Sequence, residues 1–235
     1  MELKYINEIK KLESLPRVVK LFSKQEIQKL LDFYKSLPIT VHNIKQNVIK
    51  KRWIQNHNKD LDKLYFNRLK EVLGDFKMDN LKSENGDDFF GLIQESFNPI
   101  KLHIDSGFDK NSIIYKQTLV PLSPDGETVI FKNRWYEGST MLTNDEEELK
   151  IKPKFKGQNE RSSKHLNLYG NDNFNEIDHK KYLAHEDINN LKGLKILKIY
   201  KWNLGDMLIF DRTNIHCSSC NINKYKIGLT TFTKK

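Results

Sequence analysis

The feature that most constrains this chain is a change of texture near residue 88. Before that point apolar residues recur at helical spacing; after it they fall in short β-rich runs separated by Pro, Gly, Asp and Asn. Ser23-Lys-Gln-Glu26 has the pattern of a capping box, in which a hydroxyl and a carboxylate each satisfy an orphan amide. Ile27, Leu30, Leu31 and Tyr34 follow on one face as far as Pro38. A second helix is predicted from Asn58, with Leu61, Leu64, Tyr65, Leu69, Val72 and Leu73 on one stripe and Gly74 near its C-terminus. The strand-like runs are 89–94, 100–104, 112–122, 128–131, 194–200, 206–210 and 225–233. Residues 137–190 are polar, carry a dense acidic run at Asp145 to Glu148, and read as a long insertion with little regular structure. Helices followed by many short strands predict a mainly β fold with N-terminal helices, an antiparallel sandwich buttressed by those helices. No repeat or linker is visible, so residues 1–235 are taken as one domain: helical support over 1–88 and a β core over 89–235.

Composition excludes several classes. The chain has 235 residues and 37% are hydrophobic, a low share that 13 Phe, 9 Tyr and 3 Trp offset, because each ring buries a large area. Two cysteines cannot build a disulfide scaffold. No apolar run approaches a membrane span, and the first residues lack the apolar stretch of a signal peptide, so a cytoplasmic protein with no membrane partner is expected. The net charge is +9, yet only six of the 40 basic residues are Arg, the side chain whose fork matches phosphates and guanine edges. Lysines scattered among acids read as a solvated coat. A nucleic-acid-directed protein that uses this basic surface stays as an alternative; it predicts affinity that falls steeply with salt, and no nucleic-acid motif accompanies it.

The chemistry-bearing pattern begins at Lys-Leu-His103-Ile-Asp105. On a strand, residues i and i+2 point to one face, so an imidazole and a carboxylate can meet one point. Far downstream, Gly205-Asp206 opens an apolar strand that leads to a second histidine, His216. Two His and one carboxylate make the facial triad of non-haem Fe(II) oxygenases, which leaves coordination positions open. Ten residues on, Lys226 can reach back beside the metal and hold a distal carboxylate.

This order of His-x-Asp, distal His after a Gly-Asp strand and then a basic residue resembles the Fe(II)/2-oxoglutarate-dependent dioxygenases over roughly 89–235. Ile114 to Leu122 and Gly205 to Ser219 look most like the phytanoyl-CoA and prolyl-hydroxylase-like branches and like oxygenases of marine bacteria and their phages. The resemblance implies a double-stranded β-helix, a jelly-roll of cupin-like type. It implies Fe(II) on His103, Asp105 and His216, 2-oxoglutarate as co-substrate with its far carboxylate on Lys226, O2 as oxidant, and succinate and CO2 as co-products. The substrate is left unidentified: a small molecule, an amino-acid side chain and a nucleobase all stay open. Two departures stand out: the usual Arg is Lys226, a point charge and not a fork, and the small hydroxyl residue often found two positions later is Gly228.

Other candidates are read beside ordinary alternatives. On 112–122, Tyr115, Gln117 and Leu119 share a face, and Gln117 is either a co-substrate contact or an ordinary strand residue. Gln94 is a pocket residue or a plain one, and Ser218 a ligand-orienting residue or a loop serine. Arg134, Trp135 and Tyr136 form a cluster suited to substrate contact or to packing. Cys217-Ser-Ser-Cys220 has redox spacing but is followed by a turn, so it reads as incidental. His165, His179 and His185 read as solvated residues of the insertion. A metal-retaining jelly-roll module without turnover is the remaining alternative, and it predicts metal binding with no succinate.

Overall fold

The computed structural model describes residues 3–43, 47–82, 86, 88–105, 111–136, 161 and 163–235. In chain order the elements are α1 (Ile6–Lys11), β1 (Arg17–Lys20), α2 (Lys24–Ser36), β2 (Val41–Asn43), β3 (Val48–Ile54), α3 (Lys59–Leu73), β4 (Lys77–Met78), β5 (Leu81–Lys82), β6 (Asp88–Ser96), β7 (Ile114–Pro121), β8 (Glu127–Arg134), α4 (Ser163–Leu168), α5 (Glu176–Tyr182), a 3₁₀ turn (Ile188–Leu191), β9 (Ile196–Lys201), β10 (Asp206–Asp211), β11 (Asn214–Ser218) and β12 (Lys226–Lys234).

The two long helices start where their caps put them. Ser23 Oγ accepts the Glu26 amide and the Glu26 carboxylate accepts the Ser23 amide, so both halves of the capping box are made. Asn58 Oδ1 accepts the Leu61 amide at the head of α3, and Gly74 ends that helix at φ +65°, a backbone conformation that suits glycine.

The strands form two sheets. The larger has nine, in the path β1-β10-β7-β12-β6-β3-β2 with β4 added on β12 and β5 on β6; the smaller is β11-β8-β9. Their inner faces meet: Leu119, Leu208 and Phe210 from the large sheet pack with Ile130, Tyr200 and Trp202 from the small one. The outer face of the large sheet is sealed by α2 and α3, through Trp53, Tyr65, Phe90, Ile93 and Leu229 among others. Trp53 lies at the centre, fully buried, 4.9 Å from the Phe90 ring and 5.4 Å from Tyr65, with its Nε1 donating to Asp62 at 2.7 Å. Truncating a buried indole of this kind costs about 3–5 kcal/mol. The outer face of the small sheet is covered by Phe174, Leu183, Leu191 and Leu194. Two antiparallel sheets packed face to face make the double-stranded β-helix that the resemblance implies.

The structure corrects three readings. The segment 1–88 is more than helical support: β1 pairs with β10, and β3 pairs with β6 to extend the large sheet. The insertion is ordered where it is described. Residues 163–191 hold α4, α5 and the 3₁₀ turn, and Asn175 caps α5 by accepting the amides of Ile177 and Asp178. The acidic run at 145–148 lies outside the described residues. Finally, 100–104 is no regular strand; it makes a single bridge at His103.

Candidate functional site

The site is built on that bridge. The His103 amide donates to the His216 carbonyl at 2.9 Å and the His216 amide to the His103 carbonyl at 3.0 Å. Residues directly opposite in an antiparallel pair project to one side, and the two ring centroids lie 4.2 Å apart. Asp105, two residues on, adds its carboxylate, with Oδ2 3.2 Å from His216 Nε2 and 3.9 Å from His103 Nε2. The ligand atoms of the three residues all lie within 4.8 Å of one another. Among the described residues this is the one group of three or more His, Cys, Asp or Glu so arranged.

Backbone carbonyls set the tautomers. His103 Nδ1 is 2.8 Å from the Lys101 carbonyl and His216 Nδ1 is 3.0 Å from the Asn214 carbonyl. Each Nδ1–H therefore donates to backbone, and each Nε2 lone pair faces the shared centre. Burial and the neighbouring His216 push His103 down to about 4, so its ring is neutral at neutral pH. Burial alone would raise Asp105, but the adjoining His216 and His103 rings and the Arg212 guanidinium bring it to about 2. With no cation between them, the His216 lone pair and the Asp105 oxygen would repel at 3.2 Å. A divalent metal fits this donor set, since two imidazoles and one carboxylate leave open positions.

The support around the three residues was not visible in the sequence. Arg212 is fully buried; its Nε donates to the Asp105 carbonyl at 2.9 Å and its Nη1 to Asp79 at 2.6 Å. Glu186 accepts the Leu102 amide at 2.6 Å, one residue before His103. Leu102 and Ile104 are themselves packed into the cluster that includes Leu183, Leu191 and Leu194. The described part of the insertion thus forms the back of the ligand loop.

Of the remaining candidates, Gln117 and Ser218 are drawn close to the triad. Gln117 Nε2 lies 3.1 Å from His216 Nε2, while its buried Oε1 has no hydrogen-bond partner among the described residues. Ser218 lies two residues beyond His216 on β11 and accepts a hydrogen bond from Lys226 Nζ. Lys226 is almost wholly buried, with its ammonium 5.0 Å from the Trp202 ring centroid, and burial pulls it down to about 7. Gly228 stands beside that indole. A Cβ there would come within 2.8 Å of Trp202 Cη2 and of Leu119 Cδ1, so Trp202 fills the space where a hydroxyl residue would stand. Gln94 sits opposite Gly228 and donates to Ser96 at 3.0 Å. Tyr115 departs from the shared-face expectation and packs at the helix-covered cluster.

Arg134, Trp135 and Tyr136 are occupied elsewhere. Arg134 pairs with Asp211 at 2.8 Å and Glu13 at 3.3 Å, Tyr136 donates to Glu13, and Trp135 is buried in the cluster behind the ligand loop. Of the two readings of this cluster, substrate contact or packing, these contacts supply packing. A groove of about 720 Å³ borders Trp135, Tyr136 and Tyr169, but no triad residue lines it. His165 is fully buried, not solvated, and its Nδ1 accepts from Arg161 at 2.7 Å; His179 contacts the Glu186 carbonyl at 3.0 Å. Cys217 and Cys220 are free thiols, and burial raises Cys217 well above its ordinary value.

No protein-family model matches the chain, and no curated protein sequence matches it. Solved structures do. HygX from Streptomyces hygroscopicus, with nickel, 2-oxoglutarate and hygromycin B bound, superposes with a TM-score of 0.50 at 11% identity, covering 93% of this chain and 82% of that one. An oxidoreductase of the 2OG-Fe(II) oxygenase family from Burkholderia pseudomallei gives 0.49 at 9% identity, over 97% and 89%. A prolyl-4-hydroxylase from Pseudomonas putida gives 0.43 at 8% identity, over 97% of each chain. The fold is that of the 2-oxoglutarate/Fe(II) oxygenases.

Proposed function

We propose that this protein is an Fe(II)- and 2-oxoglutarate-dependent oxygenase acting on a small-molecule or side-chain substrate. One observation carries the reading: in this fold, His103, Asp105 and His216 converge with both Nε2 lone pairs turned inward, and a buried cation stands a step away. Overall, a substrate C–H, 2-oxoglutarate and O2 become a substrate C–OH, succinate and CO2. His103, Asp105 and His216 would hold the metal. Bound Fe(II) would supply the activation of dioxygen that couples to decarboxylation of 2-oxoglutarate.

The chain's own residues bind and orient. Lys226, as the ammonium, pairs with the C5 carboxylate, and the Ser218 hydroxyl beside it donates once that carboxylate arrives. Trp202 walls the lysine on its other side. The Gln117 amide, no longer held by His216 Nε2, is free to bond the co-substrate. Phe210, edge-on to His216 at 4.9 Å, keeps water from that ligand.

The test is direct. Fe(II) and 2-oxoglutarate added without oxygen produce a weak visible charge-transfer band, and admission of oxygen yields uncoupled succinate. His216→Ala abolishes both. Wild-type protein that shows neither band nor succinate is not this enzyme.

A further inference from the structure

The third strand of the chain places two cations on the wall of the candidate site. In β3, Trp53 points to the helix-covered core, and Lys51 donates to the carbonyls of Tyr34 at 2.8 Å and Lys35 at 3.4 Å at the end of α2. Alternation then sends Lys50 and Arg52 to the opposite face. The register continues that face across the sheet: Lys50 lies opposite Gln94, which lies opposite Gly228, two residues from Lys226; Arg52 lies opposite Leu92, which lies opposite Thr230. Burial lowers the Lys50 pKa from its ordinary value, while the Asp105 carboxylate is near enough to favour the ammonium against it, and Lys50 in turn acts on His103. No carboxylate among the described residues lies within ion-pair distance of Lys50, and its side chain is only half-buried.

The charges then do not close. A divalent metal, Asp105, Lys226 and a dianionic co-substrate sum to zero, and Arg212 pairs with Asp79, which also holds Lys234. The charge on Lys50 is left over, and Arg52 on the same face adds to the positive field around it. A half-buried cation in that position costs desolvation unless an anion meets it. We propose that Lys50 is the anchor for an anionic group of the substrate, a carboxylate or a phosphate, held across the metal site from Lys226. This rests on the oxygenase reading above and adds the class of substrate to it.

The experiment uses the full chain loaded with Mn(II) and excess 2-oxoglutarate, so that Lys226 is already occupied. Inorganic phosphate is followed by 31P relaxation and [1-13C]acetate by 13C relaxation, both of which report only anions close to the metal. Saturable enhancement is expected, with affinity about tenfold or more weaker in Lys50→Met and preserved in Lys50→Arg, as for loss of a partly buried charge pair. Response to phosphate alone assigns a phosphorylated substrate, response to acetate alone a carboxylate, and response to both a compact anion of either kind. No saturable enhancement with either probe, or equal affinity in folded Lys50→Met, overturns the proposal. Mn(II) uptake by water-proton relaxation and 2-oxoglutarate uptake by calorimetry are measured first. Their absence overturns the oxygenase reading and the anchor with it, whereas their presence without an anion response overturns the anchor alone.

Discussion

Glu186 accepts the backbone N–H of Leu102 at 2.6 Å, so a carboxylate 84 positions further along the chain fixes the residue before His103. The carboxyl is buried, burial raises its pKa, and the His179 ring contacts its backbone carbonyl. Removing the acceptor strands a buried amide, which costs about 1–3 kcal/mol, and lets the ligand loop drift. Glu186→Ala is expected to lower Co(II) or Ni(II) affinity by about tenfold, in the range seen when support behind a ligand is lost. Glu186→Gln keeps an acceptor and restores the affinity. Calorimetric metal titration of the folded variants decides it. If Glu186→Ala binds metal like the wild type, packing of Leu102 and Ile104 alone holds the loop.

With Lys226 as the proposed partner of the C5 carboxylate, co-substrate binding is expected to depend on pH. The folded value of this lysine is about 7 because burial disfavours the charge, while a lysine in the unfolded chain titrates near 10.4. Between those values the unfolded chain holds more protons, so this group makes stability rise with pH across that window. Binding runs the other way. The C5 carboxylate needs the ammonium, so above pH 7 association must take up a proton and the affinity for 2-oxoglutarate falls. Calorimetry at pH 8 in two buffers of different ionisation enthalpy is expected to show that uptake. Equal heats in both buffers would place the C5 carboxylate away from Lys226.

His103 has its own window. Its folded value of about 4 lies below the ordinary 6.5. Between pH 4 and 6.5 the unfolded chain therefore binds the extra proton, and this group makes the metal-free protein lose stability as pH falls through that range. The Cε1–H resonance of His103, assigned by comparison with His103→Gln, is expected to titrate near 4 in the metal-free protein. A midpoint near 6.5 would mean that the ring is not held neutral by its surroundings.

Much of this site was legible because its key residues are close in sequence or strongly patterned. His103 and Asp105 are two apart, and the bridge at His103 did the orienting that a strand was expected to do. The caps of α2 and α3 follow from Ser23, Glu26 and Asn58 alone. What escaped depends on distant partners or on broken patterns. Lys50-Lys51-Arg52 shows no apolar alternation, because β3 carries cations on both faces: Lys51 on helix carbonyls, Lys50 and Arg52 toward the site. Arg212, Asp79 and Glu186 act across long separations, so no local signal marks them. The cap of α5 was readable, since Asn175 precedes Glu176 and Asp178 in a first turn that favours acids. The polar texture of the insertion masked it.

The departure at Gly228 yields the sharpest prediction. Trp202 is pinned by its Nε1, which donates to Thr128 Oγ1 at 2.9 Å, and its ring supports the Lys226 ammonium. Gly126, at φ +125°, also lies against the indole: a Cβ there would meet Trp202 Cδ2 at 3.1 Å and Lys226 Cδ at 3.1 Å. The indole therefore has little room to retreat when Gly228 gains a side chain. Gly228→Ser is expected to destabilise the protein by about 1–3 kcal/mol, the usual cost of overpacking, and to weaken 2-oxoglutarate binding by displacing Lys226. Trp202→Phe shortens the ring system and opens the contact. In the double variant the serine should fit, so the two losses of stability should fall short of additivity by about 1 kcal/mol or more. Urea unfolding of the wild type, both single variants and the double closes the cycle. Additive losses would show that Gly228 and Trp202 do not compete for one space, and that the glycine serves some other need of β12.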